Sequence, residues 1–380
     1  LTVSAKHLWE HLPAPLRGRL RELRAWRNIG RWWSIWRAGT VNYDCPRVCY
    51  GYDHIPQPGQ PASGGIVKLQ RMQDLFPNEP RRFNILYMVS SGLPDDWRQL
   101  LWLARARKAR LVWNQNGVGY PAWHGPGWEG VNRPMATLLH AAHHVFYQSR
   151  FCKLSADRFL GQREHAYEIL YNAVDTAVFT PATVPAEREL ILLAAGTLDA
   201  RDQMVGSLRT LQVLRQRGLK TKLIIAGRCR WSANPRGDLA ETRLLAHQLG
   251  LDDAVEMLNG YPQSAAPAIY RRAHVLLHAQ YNDASPGVVI EALACGLPIV
   301  YSASGGVPEL VGDDAGIGIP APLDWERAHP PSSEALAEAV LRIVECRARY
   351  AAAARQRALD HFDLRPWLQR HRDVFESLMG

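Results

Sequence analysis

Asp283, Ser285, Glu291, Gly305, Gly306 and Glu309 fall within one short stretch, DASPGVVIEALACGLPIVYSASGGVPE (283–309). Glu291 lies among Val288, Val289, Ile290, Leu293 and Ala294. A carboxylate in such surroundings costs free energy unless hydrogen-bond donors meet it. Those donors are either protein groups, which makes Glu291 structural, or the hydroxyls of a ligand, which makes the stretch a site. Ser285 and Pro286 read as the N-cap and first position of a helix, and Gly287 lets a ligand approach the backbone. The amides of a helix start, at the positive end of its dipole, form an anion pocket that would hold a diphosphate without a metal. Asp283 in the loop before and Glu291 about two turns into the helix flank that pocket. Two such carboxylates suit the vicinal hydroxyls of a ribose and a hexose, and the SASGGVPE loop (302–309) adds further amides.

Positioning these groups requires a scaffold whose strands end at one edge. RVCYGY (47–52), NILYMVS (84–90), RLVWNQN (110–116), HVFYQS (144–149) and YEILYN (167–172) are apolar runs of the kind buried on both faces of a parallel sheet. Helical stretches at 65–75, 95–108, 131–141 and 151–160 separate them. TPATVPAERE (180–189) breaks the rhythm as a linker. LILLAAG (190–196), TKLIIAG (221–227), AVEMLNG (254–260), HVLLHAQ (274–280) and PIVYSAS (298–304) restart it. The expected fold class is α/β, with two Rossmann-like halves and ligands bound between them at the carboxyl ends of the strands. Asn172 and Asp175 are expected to fix the chain at the hinge. His140, His143 and His144 border a strand and read as packed or capping groups rather than metal ligands.

The chain has 380 residues, of which 47% are apolar and 21% charged, as befits two globular domains. No apolar run reaches the roughly 18 to 20 residues of a membrane-spanning helix. The six cysteines are scattered without a CxxC pair, which points to reduced thiols and no metal site. Of the net charge of +9, an excess of six lies in residues 1–40, which also hold Trp9, Trp26, Trp32, Trp33 and Trp36. Leu16, Leu20, Leu23, Trp26, Ile29, Trp33 and Trp36 form a helical stripe flanked by arginines. Such a helix either lies in an anionic membrane surface or docks on the first domain. Recurring arginines leave no room for a signal-peptide core.

The 283–309 stretch resembles the signature of the family 4 retaining glycosyltransferases of the GT-B fold: an acid, seven residues, a Glu, then A-(L/M)-A-C-G-x-P-(V/I)-(V/I) and G-G-x-x-E. YNAVDTAVFTP (171–181) and HVFYQSRFCKLSADRFLG (144–161) resemble further segments of that family. The resemblance implies that Glu291 holds the nucleotide ribose and that Asp283 touches the donor sugar. It further implies that Ser285, Pro286, Gly287, Val288, Gly196, Thr197, Gly305, Gly306, Glu309, Gly64 and Gly65 line the donor. Three positions depart from the pattern. Asp283 stands for the usual Glu. Thr197 stands for an Arg, which leaves Arg201 as the phosphate-neutralising cation. Asn116 stands where a His is common, with His124 nearby.

The implied activity is transfer of a sugar, with retention, from a nucleotide-diphosphate sugar to a hydroxyl on a glycan or lipid-linked acceptor. Attack comes from the front face, aided by the leaving phosphate, with neither metal nor cofactor. A non-catalytic nucleotide-sugar-binding protein and a GT-B-fold phosphorylase or epimerase are the alternatives. The expected organisation is a basic segment (1–40), an acceptor domain (41–183), a donor domain (184–362) and a terminal helix (363–380) crossing back. The expected setting is the cytoplasm or the inner face of its membrane, in cell-envelope polysaccharide synthesis, with no nucleic-acid partner.

Overall fold

The computed structural model describes residues 29–38, 45–57, 60, 62, 64–182, 189–232 and 234–380. Most of the basic N-terminal stripe therefore lies outside the described residues. In the first half, helix α1 (Ile29–Arg37) precedes strand β1 (Val48–Cys49), α2 (Gly64–Met72), β2 (Ile85–Val89), α3 (Trp97–Ala106) and β3 (Arg110–Gln115). Then come α4 (Pro121–His124), α5 (Trp128–Ala141), β4 (His144–Tyr147), α6 (Arg150–Phe159) and β5 (Tyr167–Ile169). The strands form a parallel sheet in the order β1-β2-β3-β4-β5.

The second half runs β6 (Leu190–Leu198), α7 (Arg201–Gln216), β7 (Thr221–Cys229), α8 (Pro235–Gln248), β8 (Val255–Asn259), α9 (Ala266–Arg272) and β9 (Val275–His278). It continues with α10 (Gly287–Ala294), β10 (Ile299–Ala303), α11 (Val307–Val311) and β11 (Gly316–Pro320). Its parallel sheet has the order β11-β10-β9-β6-β7-β8. From β6 the chain winds outward to β8, then returns to β9 on the other side. That reversal opens a crevice beyond the ends of β6 and β9, where α10 begins. The apolar runs read from the sequence all carry strands. β11 was not among them, because GIGIP offers no continuous apolar run.

Three helices end the chain: α12 (Ser333–Glu345), α13 (Arg347–His361) and α14 (Leu364–Ser377). Alternate residues of the first sheet face opposite cores. Leu86, Met88, Leu111 and Trp113 pack with α3, α5 and α6, whereas Ile85, Tyr87, Val89, Val112 and Phe146 pack with α2 and α14. The last helix thus completes the first domain. Its His371 is fully buried, with Nε2 3.1 Å from the Tyr87 hydroxyl, and burial lowers its pKa to about 3. Phe375 lies against Phe76 and Tyr87 at ring separations of 5.0 and 5.9 Å. Phe375→Ala is expected to destabilise the first domain by about 3–5 kcal/mol, the usual cost of emptying a buried aromatic site. Denaturant unfolding checks this. A loss below about 1 kcal/mol would mean that α14 is dispensable to that core.

Candidate functional site

Glu291 occupies the second turn of α10 and is buried. Its Oε1 accepts from Arg71 Nη2 at 3.3 Å and from Gln263 Nε2 at 3.1 Å, and its Oε2 accepts from the Tyr270 hydroxyl at 3.1 Å. Arg71 comes from α2 of the first domain and also donates to the Ala173 carbonyl. The buried acid is therefore met by protein donors from both sides of the crevice. Burial raises its carboxyl pKa, with Arg71, then Tyr270 and Gln263, working against the rise.

The helix start differs by one residue from its sequence reading. Pro286, not Ser285, is the N-cap, and it offers no side-chain cap. The Ser285 hydroxyl turns instead to the first domain, donating to the Gln148 carbonyl at 3.3 Å and accepting from Asn172 Nδ2 at 3.1 Å. Asn172 also donates to Gln148 Oε1 at 2.8 Å, and Gln148 Nε2 donates to Asn114 Oδ1 at 2.7 Å. Lys68 Nζ reaches the same Asn114 oxygen at 2.6 Å, and burial lowers its pKa to about 7. Gly287 and Val288, as the first helical residues, carry amides with no intrahelical acceptor. Gly287 is exposed, and a Cβ there would meet no atom within 4 Å, so the helix start is open on that side.

Glycine is required where backbones meet. Gly196 lies within β6 at φ +98°, and a Cβ there would lie 2.9 Å from Val288 Cγ1. Gly305 and Gly306 press on the acid loop, where added Cβ atoms would lie 2.4 Å from the Asp283 carbonyl and 2.1 Å from that of Ala284. The Gly306 amide donates to the Asp283 carbonyl at 2.8 Å. It is thus committed to the loop instead of to a diphosphate. Asp283 itself is partly exposed, and its Oδ2 lies 3.2 Å from His278 Nε2, though not aligned for a hydrogen bond. Asp199, after β6, is held above its ordinary carboxyl range by partial enclosure, with Arg230 opposing and Asp283 adding to the shift.

Other expected donor contacts are differently engaged. The Glu309 carboxylate accepts from the Arg150 and Phe151 amides at 2.9 and 3.0 Å and from the Tyr171 hydroxyl at 3.1 Å. It caps α6 and ties the domains together, because the first-turn amides of α6 need an acceptor. Arg201 is largely exposed and its Nε donates to Glu241 at 2.6 Å, so it is held on the surface by a carboxylate. Arg228 is the cross-strand partner of Thr197, and both are exposed on that edge. Gly64 stands exposed at the start of α2, while Gly65 is packed against Ser91. The Asn116 amide donates to the Ser90 hydroxyl at 2.8 Å, and the next residue, Gly117, lies against Ala284. The sequence reading missed Lys68, Arg71, Gln263 and Tyr270. Lys68 and Arg71, three apart just after the glycine pair, were a usable signal.

Residues 175–358 match the family model described as glycosyl transferases group 1. One subunit of the phosphatidylinositol N-acetylglucosaminyltransferase of Arabidopsis thaliana is 32% identical over 169 residues, covering 41% of this chain and 34% of that protein. D-inositol 3-phosphate glycosyltransferase of Saccharomonospora viridis is 30% identical over 206 residues, covering 52% of this chain and 44% of that protein. The chain thus spans less than half the length of these curated relatives. The crystal structure of Anabaena HepE in complex with UDP is similar at a TM-score of 0.63 and 17% identity, covering 82% of this chain and 81% of that one. Sucrose-phosphate synthase from Thermosynechococcus elongatus is similar at 0.63 and 18% identity, covering 78% and 74%. These likenesses establish the GT-B fold.

A carboxyl whose pKa is raised in the folded state binds more protons there, so stability falls as pH rises through the window between the unfolded and folded values. Glu291→Gln is accordingly expected to melt at or above the wild-type temperature near neutral pH. That advantage should shrink in acid, where both side chains are neutral. Affinity for a nucleoside diphosphate should fall by about 1–3 kcal/mol, the scale of a charged hydrogen bond. Melting curves and calorimetric titration measure both. A less stable variant with unchanged affinity would make Glu291 purely structural.

Proposed function

We propose, from the match of residues 175–358 to the glycosyl transferases group 1 family, that the chain moves a sugar from a nucleotide-diphosphate sugar to an acceptor hydroxyl. The observation that carries this reading is Glu291 beside the open α10 start, at the strand reversal of a GT-B fold. The α10 amides receive the diphosphate and Glu291 the ribose. Asp283 faces the sugar. HepE in complex with UDP and with UDP-glucose supports a uridine-type donor. Transfer proceeds with retention and without a metal. The C1–O bond to the diphosphate breaks as the acceptor oxygen bonds C1 from the same face, and the acceptor proton passes to the departing phosphate oxygen.

With Arg201 held by Glu241, Arg228 is the cation best placed beside Thr197 to neutralise the leaving group. Negative charge grows there as the bond breaks, so the cation acts mainly in the transition state. Arg228→Ala is expected to lower kcat on the order of 100-fold, with Arg201→Ala within a few-fold of wild type. Equal effects from both would return the role to Arg201.

The acceptor side of the reading rests on the first domain. Trp33 and Trp36 of α1 stack at 5.3 Å and are exposed, as are Ile29 and Trp102. Arg98 and Arg105 share the outer face of α3 with Trp102, and Arg37 ends α1. No helix among the described residues is long and apolar enough to cross a membrane. An aromatic surface with a basic rim suits the interface of an anionic bilayer, which favours a lipid-linked acceptor. Replacing Trp33, Trp36 and Trp102 together by Ala should abolish sedimentation with anionic vesicles and leave nucleotide binding intact. Retained vesicle binding would remove this support for a lipid acceptor.

A further inference from the structure

Between β11 and α12 the chain runs from Ala321 to Ser332 without helix or strand, and adjacent residues of this strap serve opposite domains. In the second domain, the Tyr281 hydroxyl donates to the Pro322 carbonyl at 2.7 Å and accepts from the Asp324 amide at 2.9 Å. Asn282 Nδ2 donates to the Asp324 carbonyl at 3.2 Å. The Asp324 carboxylate accepts from the Glu326 amide at 2.8 Å and lies 2.8 Å from His329 Nε2, so the turn is internally braced. The next residue, Trp325, is buried in the first domain. Its ring lies 4.9 Å from that of Tyr120, 5.4 Å from Phe151 and 5.3 Å from Phe159. Its carbonyl accepts from the Ala122 amide at 2.9 Å.

The strap therefore joins the first domain to the two residues that precede Asp283. Asn282 adopts φ +53°, a left-handed conformation that needs local hydrogen bonds to hold it in a non-glycine residue. Those bonds are the Asp324 carbonyl on its side chain and the Ser304 hydroxyl on its amide, the latter at 2.8 Å. Asp283 leaves the backbone directly after that turn. We propose that Trp325 is a positioning residue: seated among Tyr120, Phe151 and Phe159, it fixes the Tyr281–Asn282 turn and so aims the Asp283 carboxylate into the crevice when the domains are closed. No substrate contact is assigned to Trp325.

The catalytic part of this inference rests on the proposed glycosyl transfer, whereas its structural part does not. The test compares Trp325→Ala, Trp325→Phe and Tyr281→Phe with the wild type in the full chain, after thermal melts confirm folding. Tyr281→Phe removes only the hydroxyl that holds the strap, so it serves if the Ala variant does not fold. Deuterium exchange at residues 281–284 should rise in Trp325→Ala and in Tyr281→Phe, and fall back towards wild type in Trp325→Phe. UDP affinity should stay within about threefold, while kcat for UDP-sugar turnover, read as hydrolysis without acceptor, drops by about 100-fold, as for a misplaced reacting group. Unchanged exchange at 281–284, or unchanged kcat despite raised exchange, would overturn the proposal. Failure of the wild type to bind any of UDP, GDP, ADP and TDP would instead sink the glycosyl-transfer reading, and the exchange arm would still decide the coupling.

Discussion

One carboxylate, buried in the second turn of an apolar helix, sets the terms for the rest of this structure. Taking an ion such as Glu291 out of water costs several kcal/mol, and leaving it without partners costs more than any single packing contact returns. The chain meets that demand from three directions: Arg71 across the crevice, Gln263 before α9, and Tyr270 within it. The charged partner belongs to the other domain. The acid thus links the two sheets at the point where the second one reverses direction.

Around that point the two domains are joined by hydrogen bonds, and Trp325 of the strap adds an apolar link by entering the first domain's core. Glu309 caps a first-domain helix, the Ser149 hydroxyl donates to the Ala284 carbonyl at 2.7 Å, and Asn172 reaches Ser285. Behind them Gln148, Asn114 and Lys68 continue the polar chain into the first sheet. Polar contacts of this kind re-form with water when broken, unlike a severed hydrophobic core. Each half is otherwise built around its own pair of cores, with Trp325 the residue that crosses into one of the first half's.

The scaffold was legible from the chain because strands buried on both faces must be apolar throughout, and the reversal of order sets where ligands bind. Glu291 was legible for the same reason, as an ionisable group in a run that otherwise excludes water. Local capping was less so: Ser285 has the chemistry of an N-cap, but its hydroxyl is claimed by Gln148 and Asn172, both remote in sequence. Arg201 was the right type of residue for a phosphate and is held by Glu241, a pairing that only the packing of α7 on α8 creates. The Ala321–Ser332 strap has no periodicity, and nothing in its composition reports that Trp325 finishes in the other domain.

The account stands most directly on where a nucleoside diphosphate sits. A structure of the chain with UDP bound is expected to show the diphosphate over the Gly287 and Val288 amides and a ribose hydroxyl on the Glu291 carboxylate. UDP bound elsewhere, with the Arg71–Glu291 pair undisturbed and the α10 start empty, would contradict it.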